Sequence, residues 1–427
     1  MAKPAKFRMF SFIFAAVLFI NPFQAFGEDK KADADAHKSH QEHSAEAPGF
    51  PGTAGSAEKE AKVHGHEEGL VAEHGLTGNW GGLRDTLVTN GITIKAVYTG
   101  ENASSFSGGA LNKTGSIYHD NLDLTLSVDT GKAGLWEGGT LWIYGLRNQG
   151  PNPSEELIGD MQGASNISAP EQFIVNEAWF NQEFADGAVA ILAGLHNLNS
   201  EFYVSTYATV FLNSSFGIGP EFSGNVPVSL FPKSGLGARL RVAPFENAYV
   251  QAAIYDGDPS TRELESAEGN LVIAEAGYEI EGSDYKIGYW RHSAEKEYGE
   301  KTFDGDYGVY GVIDQQLFAL DNEAHSSIGV FLQYGVVPEE RNEITGYIGA
   351  GLHLHGMIPY RDVDDLAFGV AMAKTHLDAE TVYELTYRLV ATPWLSLRPS
   401  YQWIVNPGGD SSVKTANVGL LRFELQL

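Results

Sequence analysis

The sequence predicts an all-β protein, a transmembrane antiparallel β-barrel of the outer-membrane kind with about 16 strands. Three observations predict it. From about residue 80 to the end, short runs alternate apolar and polar residues, the period of two that marks strands with unlike faces. Aromatic residues (Trp80, Trp136, Tyr249, Tyr255, Trp290, Trp394 and Trp403) fall near the ends of those runs, which suits girdles at the two membrane surfaces. No amphipathic helix of ordinary length is readable after residue 80, whereas a βαβ fold would need several.

The chain opens with a secretory signal. Lys3, Lys6 and Arg8 form a basic start, Met9 to Ile20 is an apolar or small run, and Asn21-Pro22 breaks it. Ala25-Phe26-Gly27 offers a small-residue cleavage site, so residues 1–27 read as a signal peptide. Residues 28–75 are rich in Ala, Glu, Lys, Gly and His, with Phe50 the lone aromatic. Such a segment buries too little apolar surface to offset the entropy of ordering, and reads as a disordered acidic periplasmic tether. It holds His37, His40, His43, His64, His66 and His74. Their spacing matches no closed metal site, and weak binding of a divalent metal is the alternative reading.

Residues 76–427 carry the alternation. Leu122, Leu124, Leu126 and Val128 share one face, opposite Asn121, Asp123, Thr125, Ser127 and Asp129. Leu236, Ala238, Leu240 and Val242 oppose Arg239 and Arg241. Tyr383, Leu385, Tyr387 and Leu389 oppose Glu384, Thr386 and Arg388. Leu395, Leu397, Tyr401, Trp403 and Val405 oppose Ser396, Arg398, Ser400 and Gln402. Charge in the middle of a polar face suits a water-filled lumen, and closure removes the edges that so many strands would expose. Roughly 350 residues run from Trp80 to the end, and about 10 residues per strand with connections of similar length give about 16 to 18 strands. A barrel of that size encloses an aqueous channel. The last strand runs to the final residue, with Leu421, Phe423, Leu425 and Leu427 opposite Arg422, Glu424 and Gln426.

Composition narrows the function classes. The chain has no cysteine, which excludes disulfides, thiol nucleophiles and Cys-ligated metals. Its formal charge is -27, and loss of Lys3, Lys6 and Arg8 with the signal takes it to -30. A nucleic-acid partner would require a basic footprint instead. No cofactor is implied.

Several segments, in order, resemble the carbohydrate-selective porins of the OprB family. They are Gly78-Asn79-Trp80-Gly81-Gly82-Leu83-Arg84 with Leu87 and Asn90-Gly91-Ile92, then Ala193-Gly194-Leu195-His196-Asn197-Leu198-Asn199 with Phe202. Phe211-Leu212-Asn213-Ser214-Ser215-Phe216-Gly217, Pro220 and Phe231-Pro232 follow. Glu384-Leu385-Thr386-Tyr387-Arg388, Thr392 to Pro399, and Gln402 with Asn406-Pro407-Gly408-Gly409 complete the set. The resemblance implies a 16-stranded barrel in the bacterial outer membrane that admits mono- or small oligosaccharides by passive diffusion, without enzymatic chemistry. Two departures stand out: the His-rich stretch lies outside that pattern, and the final residue is Leu427 where such porins more often end in Phe.

A channel of this type is selective through width and through polar groups at its constriction. Residues 203–234 lack sustained alternation, carry several Gly and Pro, and read as an inward-folded constriction. Residues 148–172 read as a surface loop. Arg239, Arg241, Arg388, Arg398, Arg422, Glu177, Glu384 and Gln402 lie on polar faces and are the expected channel-lining, sugar-contacting residues. Small carbohydrates, outer-membrane lipid and lipopolysaccharide are the expected partners, and monomer and homotrimer both stay open. The competing readings are a general, organic-ion or cation porin, a plugged structural barrel, and an outer-membrane hydrolase. The last lacks a GxSxG elbow and rests on His196 beside Asn197 and Asn199.

Overall fold

The computed structural model describes residues 75–427 except 264, 281 and 320–325. The expected signal peptide, residues 1–27, and the His-containing segment up to residue 74 lie outside the described residues. A short helix α1 (Leu83–Thr89) precedes the first strand and is followed by the Asn90-Gly91 turn. Gly91 sits at φ +74°, where a Cβ would press on the Lys132 side chain, so a tight approach and a left-handed backbone both call for glycine.

Sixteen antiparallel strands close into a barrel. In chain order they begin with β1 (Ile92–Ser107), β2 (Gly115–Asp129), β3 (Gly139–Gln149), β4 (Gln172–Phe184), β5 (Val189–Leu195) and β6 (Leu236–Phe245). Then come β7 (Ala248–Asp256), β8 (Asn270–Ile280) and β9 (Ser283–His292). Two short strands, β10 (Lys296–Tyr298) and β11 (Lys301–Phe303), form a separate hairpin within a loop. The wall resumes with β12 (Asp306–Ala319), β13 (Ser327–Val336), β14 (Ile344–His355) and β15 (Asp365–Thr375). It finishes with β16 (Ala379–Thr392), β17 (Leu395–Val405) and β18 (Ala416–Gln426). The wall follows chain order, with β12 pairing to β9, and β18 closes on β1 in a register that sets Gly100 opposite Phe423 and Glu101 opposite Arg422. The predicted count of about 16 strands is therefore met.

The faces follow the sequence parity. Leu124, Leu240, Leu385, Tyr401, Trp403 and Leu421 are exposed on the outside, while Asp123, Arg239, Glu384, Gln402 and Arg422 are buried on the inside. Trp80, Trp136 and Trp403 are exposed as a girdle requires. Tyr249, Tyr255 and Trp290 are not: all three are buried on the inner face, which corrects the girdle reading for them. Each lies across a glycine of the neighbouring strand, Tyr255 over Gly237, Tyr249 over Gly277 and Trp290 over Gly308. A Cβ at Gly237 would collide with the Tyr255 ring, so the glycine makes room for the aromatic.

The two ends of the barrel differ. Residues 185–188, 246–247 and 393–394 are tight turns at one end. Segments 150–171, 196–235, 257–269 and 293–305 lie at the other. Short turns mark the periplasmic end of such barrels and long loops the extracellular end. Among the described residues no helix is long and apolar enough to cross a membrane, and the chain crosses with strands.

Candidate functional site

Two of the long segments turn into the barrel. Segment 196–235 crosses the inside of the wall and is held there by carboxylates projecting from the strands. Glu177 accepts the Asn197 N–H at 3.2 Å, and Glu275 accepts the Tyr203 N–H at 3.0 Å. Asp314 accepts the Ser205 hydroxyl at 2.6 Å and the Thr206 N–H at 2.8 Å. Glu384 accepts the N–H groups of Leu212 and Asn213 at 2.8 and 3.0 Å. Loop N–H groups have no ladder partner, and a wall carboxylate supplies one with charge assistance. The segment reaches deep: Tyr207 donates its hydroxyl to the carbonyl of Gly282, in the turn between β8 and β9 at the opposite end. The inward path expected for 203–234 is what the structure has.

Segment 150–171 also folds inward, which corrects the surface-loop reading of 148–172. Ile158, Ala164 and Ile167 are buried. Glu380 accepts the N–H groups of Met161 and Gln162 at 2.9 and 3.0 Å, and Gln402 donates to the Ala164 carbonyl at 2.8 Å. The two segments then meet, the Asn166 N–H donating to the Leu212 carbonyl at 2.8 Å. Apolar packing completes the join: Leu157, Ile158 and Ala164 share one buried cluster with Phe211, Leu212 and Phe216, while Phe222 stacks on Trp290 of the wall at 4.4 Å.

Between the two segments lies an open cleft of about 820 Å³, counting space that opens to solvent. Its lining is neutral. Asn166, Ser168, Asn197, Ser205, Thr209 and Ser214 offer hydroxyls and amides, and Phe211, Phe216 and Phe231 offer apolar surface. Among the described residues, none of those that line it is charged.

The eight expected site residues all sit on the inner side of the wall, and none lines this cleft. Six of them bind the inward segments, and Arg241 and Arg388 meet other residues of the wall. Arg239 pairs with Glu201 at 2.9 Å and donates to Asn181 at 3.2 Å. Arg241 lies over the Tyr249 ring at 3.8 Å. Arg388 donates to Asp365 at 2.8 Å, and Arg398 to the Val210 carbonyl at 3.1 Å. Arg422 donates to Glu101 at 2.7 Å and to Asn166 at 2.8 Å. Glu177 and Glu384 cap loop N–H groups as described, and Glu384 also accepts the Ser400 hydroxyl at 2.8 Å. Gln402 accepts from Asn213 at 3.3 Å.

Two buried groups on segment 196–235 are displaced from their ordinary titration. Burial pushes the Glu221 carboxyl up to about 7, although the Tyr203 hydroxyl donates to it at 2.9 Å. Burial, and then the Arg239 charge, push the His196 imidazole down to about 3. His196 contacts the Tyr255 hydroxyl at 2.7 Å and the Ser200 hydroxyl at 3.2 Å. It is thus a neutral packing and hydrogen-bonding residue at neutral pH. Among the described residues no group of three or more His, Asp or Glu is arranged to hold a metal.

A closed 16-stranded barrel with an apolar exterior and a polar interior narrowed by inward loops defines an outer-membrane porin. Comparison with known proteins gives the family. Residues 113–427 match the family described as carbohydrate-selective porin, OprB family, and the chain belongs to it. It is an outer-membrane porin for carbohydrates, a channel of the bacterial outer membrane. The chain is 24% identical over 415 residues to Porin B of Pseudomonas aeruginosa, covering 82% of this chain and 90% of that one. It is 21% identical over 413 residues to the putative porin QuiX of Acinetobacter baylyi, covering 82% and 92%. The high-pH structure of Pseudomonas putida OprB superposes with a TM-score of 0.77 at 22% identity, covering 83% of this chain and 99% of that one, which supports the fold.

Proposed function

We propose that the channel passes neutral mono- and small oligosaccharides, and that the cleft between segments 150–171 and 196–235 is its sugar-contacting constriction. The observation that carries this is the neutral lining of the cleft. Hydroxyls and amides can exchange hydrogen bonds with the rim of a sugar, and aromatic faces can meet its ring. With no fixed charge among the lining residues, a sugar is not disfavoured against an ion, and weak contacts permit release. In this reading the wall residues Arg239, Arg398, Arg422, Glu177, Glu384 and Gln402 shape the constriction by holding the loops, and Arg241 and Arg388 by their places beside Tyr249 and Asp365.

Liposome swelling tests the proposal. Glucose and a disaccharide should enter reconstituted liposomes readily, and gluconate no faster than glucose. A steep preference for cations or organic anions, read as a large reversal potential across a salt gradient, would replace the proposal with the ion-porin reading.

A further inference from the structure

The cleft between segments 150–171 and 196–235 does not offer donors and acceptors evenly. Several of its polar side chains have given their hydrogens to the protein. The Thr209 hydroxyl donates to the Thr206 carbonyl at 2.8 Å, and the Ser205 hydroxyl to Asp314 at 2.6 Å. A hydroxyl carries one hydrogen, so each oxygen is left as an acceptor. Asn199 gives both amide hydrogens away, to the carbonyls of Phe202 and Gly217 at 3.1 and 3.0 Å. Those two carbonyls fix which end of the amide is nitrogen, so its side-chain oxygen is the end left to meet a solute.

The backbone does not restore the balance. The Asn197 N–H goes to Glu177 at 3.2 Å, and the Asn199 N–H to the Asn197 side chain at 3.0 Å. The Asn166 and Ser214 N–H groups go to the carbonyls of Leu212 and Gly163, each at 2.8 Å. Those of Phe216 and Gly217 close local turns onto Asn213 and Ser214. The side-chain donors that remain are the Asn197 amide, the second amide hydrogen of Asn166, and the hydroxyls of Ser168 and Ser214. No lysine or arginine is among the lining residues. A carboxylate is held strongly where a cation or several convergent donors meet it, and this lining brings neither. A sugar hydroxyl donates as well as accepts, and here its hydrogen is what finds a partner.

We infer that the cleft selects its solute by the O–H groups that the solute donates, with the Thr209 hydroxyl oxygen and the Asn199 side-chain oxygen as the accepting atoms. The inference rests on the cleft being the sugar-contacting constriction. The solute class that fits is the neutral sugar with free hydroxyls. An ether-capped sugar lacks the hydrogen, and a sugar acid brings a charge that the lining does not answer. A site built to bond a hydroxyl discriminates against the analogue without it, because its own polar atoms are then left unpaired.

Block of single-channel current by added solute gives an apparent affinity, and tests the inference on the reconstituted full chain. The probes are glucose, its singly O-methylated ethers, the matching deoxy sugars, and gluconate. An ether keeps the oxygen as an acceptor and loses the hydrogen, whereas a deoxy sugar loses both. At the positions that are read, ether and deoxy sugar should lose affinity equally, by several-fold, and gluconate should block several-fold less than glucose. Thr209→Val, close to isosteric, should narrow the gap between glucose and the ether. An ether that keeps the affinity its deoxy partner loses overturns the inference, because the cleft is then donating to the sugar oxygen. Loss by the ethers alone overturns it in favour of bulk. Gluconate block equal to that of glucose, or a gap unchanged in Thr209→Val, also overturns it. All of these failures keep block by glucose. Absence of block by glucose itself overturns the constriction reading together with the inference. If Thr209→Val fails to fold, the solute series on the unaltered protein decides alone.

Discussion

Arg422 and Glu101 face each other directly across the seam that closes the barrel. They are register partners of β18 and β1, both fully buried, with the guanidinium Nε donating to the carboxylate at 2.7 Å. His119 lies 3.1 Å from the same carboxylate, and Arg422 also reaches Asn166 of the inward segment at 2.8 Å. One arginine therefore ties the closing strands to a loop. Arg422→Met leaves Glu101 buried without its cation and should cost about 3–5 kcal/mol. Heat-modifiability on gels should show a lower transition for Arg422→Met. Glu101→Gln with Arg422→Met should recover part of the loss, because it removes the uncompensated charge. An unchanged transition in the single variant would show that the pair contributes nothing to closure.

Glu384 does for segment 196–235 what Arg422 does for the seam. Its two oxygens take the N–H groups of Leu212 and Asn213, and Glu384→Ala strands both inside the barrel. Each orphaned buried donor costs about 1–3 kcal/mol, so the segment should shift toward water. The expected outcome is a larger and noisier single-channel conductance with a barrel that still assembles. Conductance identical to that of the unaltered protein would show that the aromatic packing of Phe211 and Phe216 holds the segment without the carboxylate.

The wall was legible in the sequence because a strand repeats every two residues and each face meets one kind of solvent. The faces of 122–128, 236–242, 383–389 and 395–405 need nothing beyond parity. Parity also held the signal for the aromatics that were misread from their position near strand ends. Tyr249 and Tyr255 share a face with Gln251, and Trp290 shares one with Lys286 and His292, so their inner placement could have been read. The inward path of 150–171 could not. Its anchors, Glu380 and Gln402, lie more than 200 residues further along the chain, and no local pattern encodes such a meeting.

The cleft gives a prediction about transport. Thr209 lines it and is only partly buried. Thr209→Trp adds an indole to that space without removing an anchor to the wall. Glucose-driven swelling of liposomes should slow several-fold, and a disaccharide should slow more than glucose. Equal swelling rates for both sugars would mean that they pass elsewhere.

Glu221 gives the pH dependence. Its carboxyl titrates near 7 in the folded protein, against an ordinary value of 4.5, with burial the main cause. Between those values the folded chain holds a proton that the unfolded chain has released. Stability from this group is therefore greatest below about pH 4.5 and is lost as pH rises towards 7, by about 3 kcal/mol at most. His196 acts in the opposite window: its imidazole titrates near 3 when folded and 6.5 ordinarily, so its contribution is present above pH 6.5 and lost as pH falls towards 3. Glu221→Gln separates the two, since it keeps an acceptor for the Tyr203 hydroxyl but cannot ionise. Thermal transitions of the two proteins should converge below about pH 4.5 and diverge above about pH 7, with Glu221→Gln the more stable there. A difference that stays constant from about pH 4 to about pH 8 would show that Glu221 remains protonated, or remains paired, across the whole range.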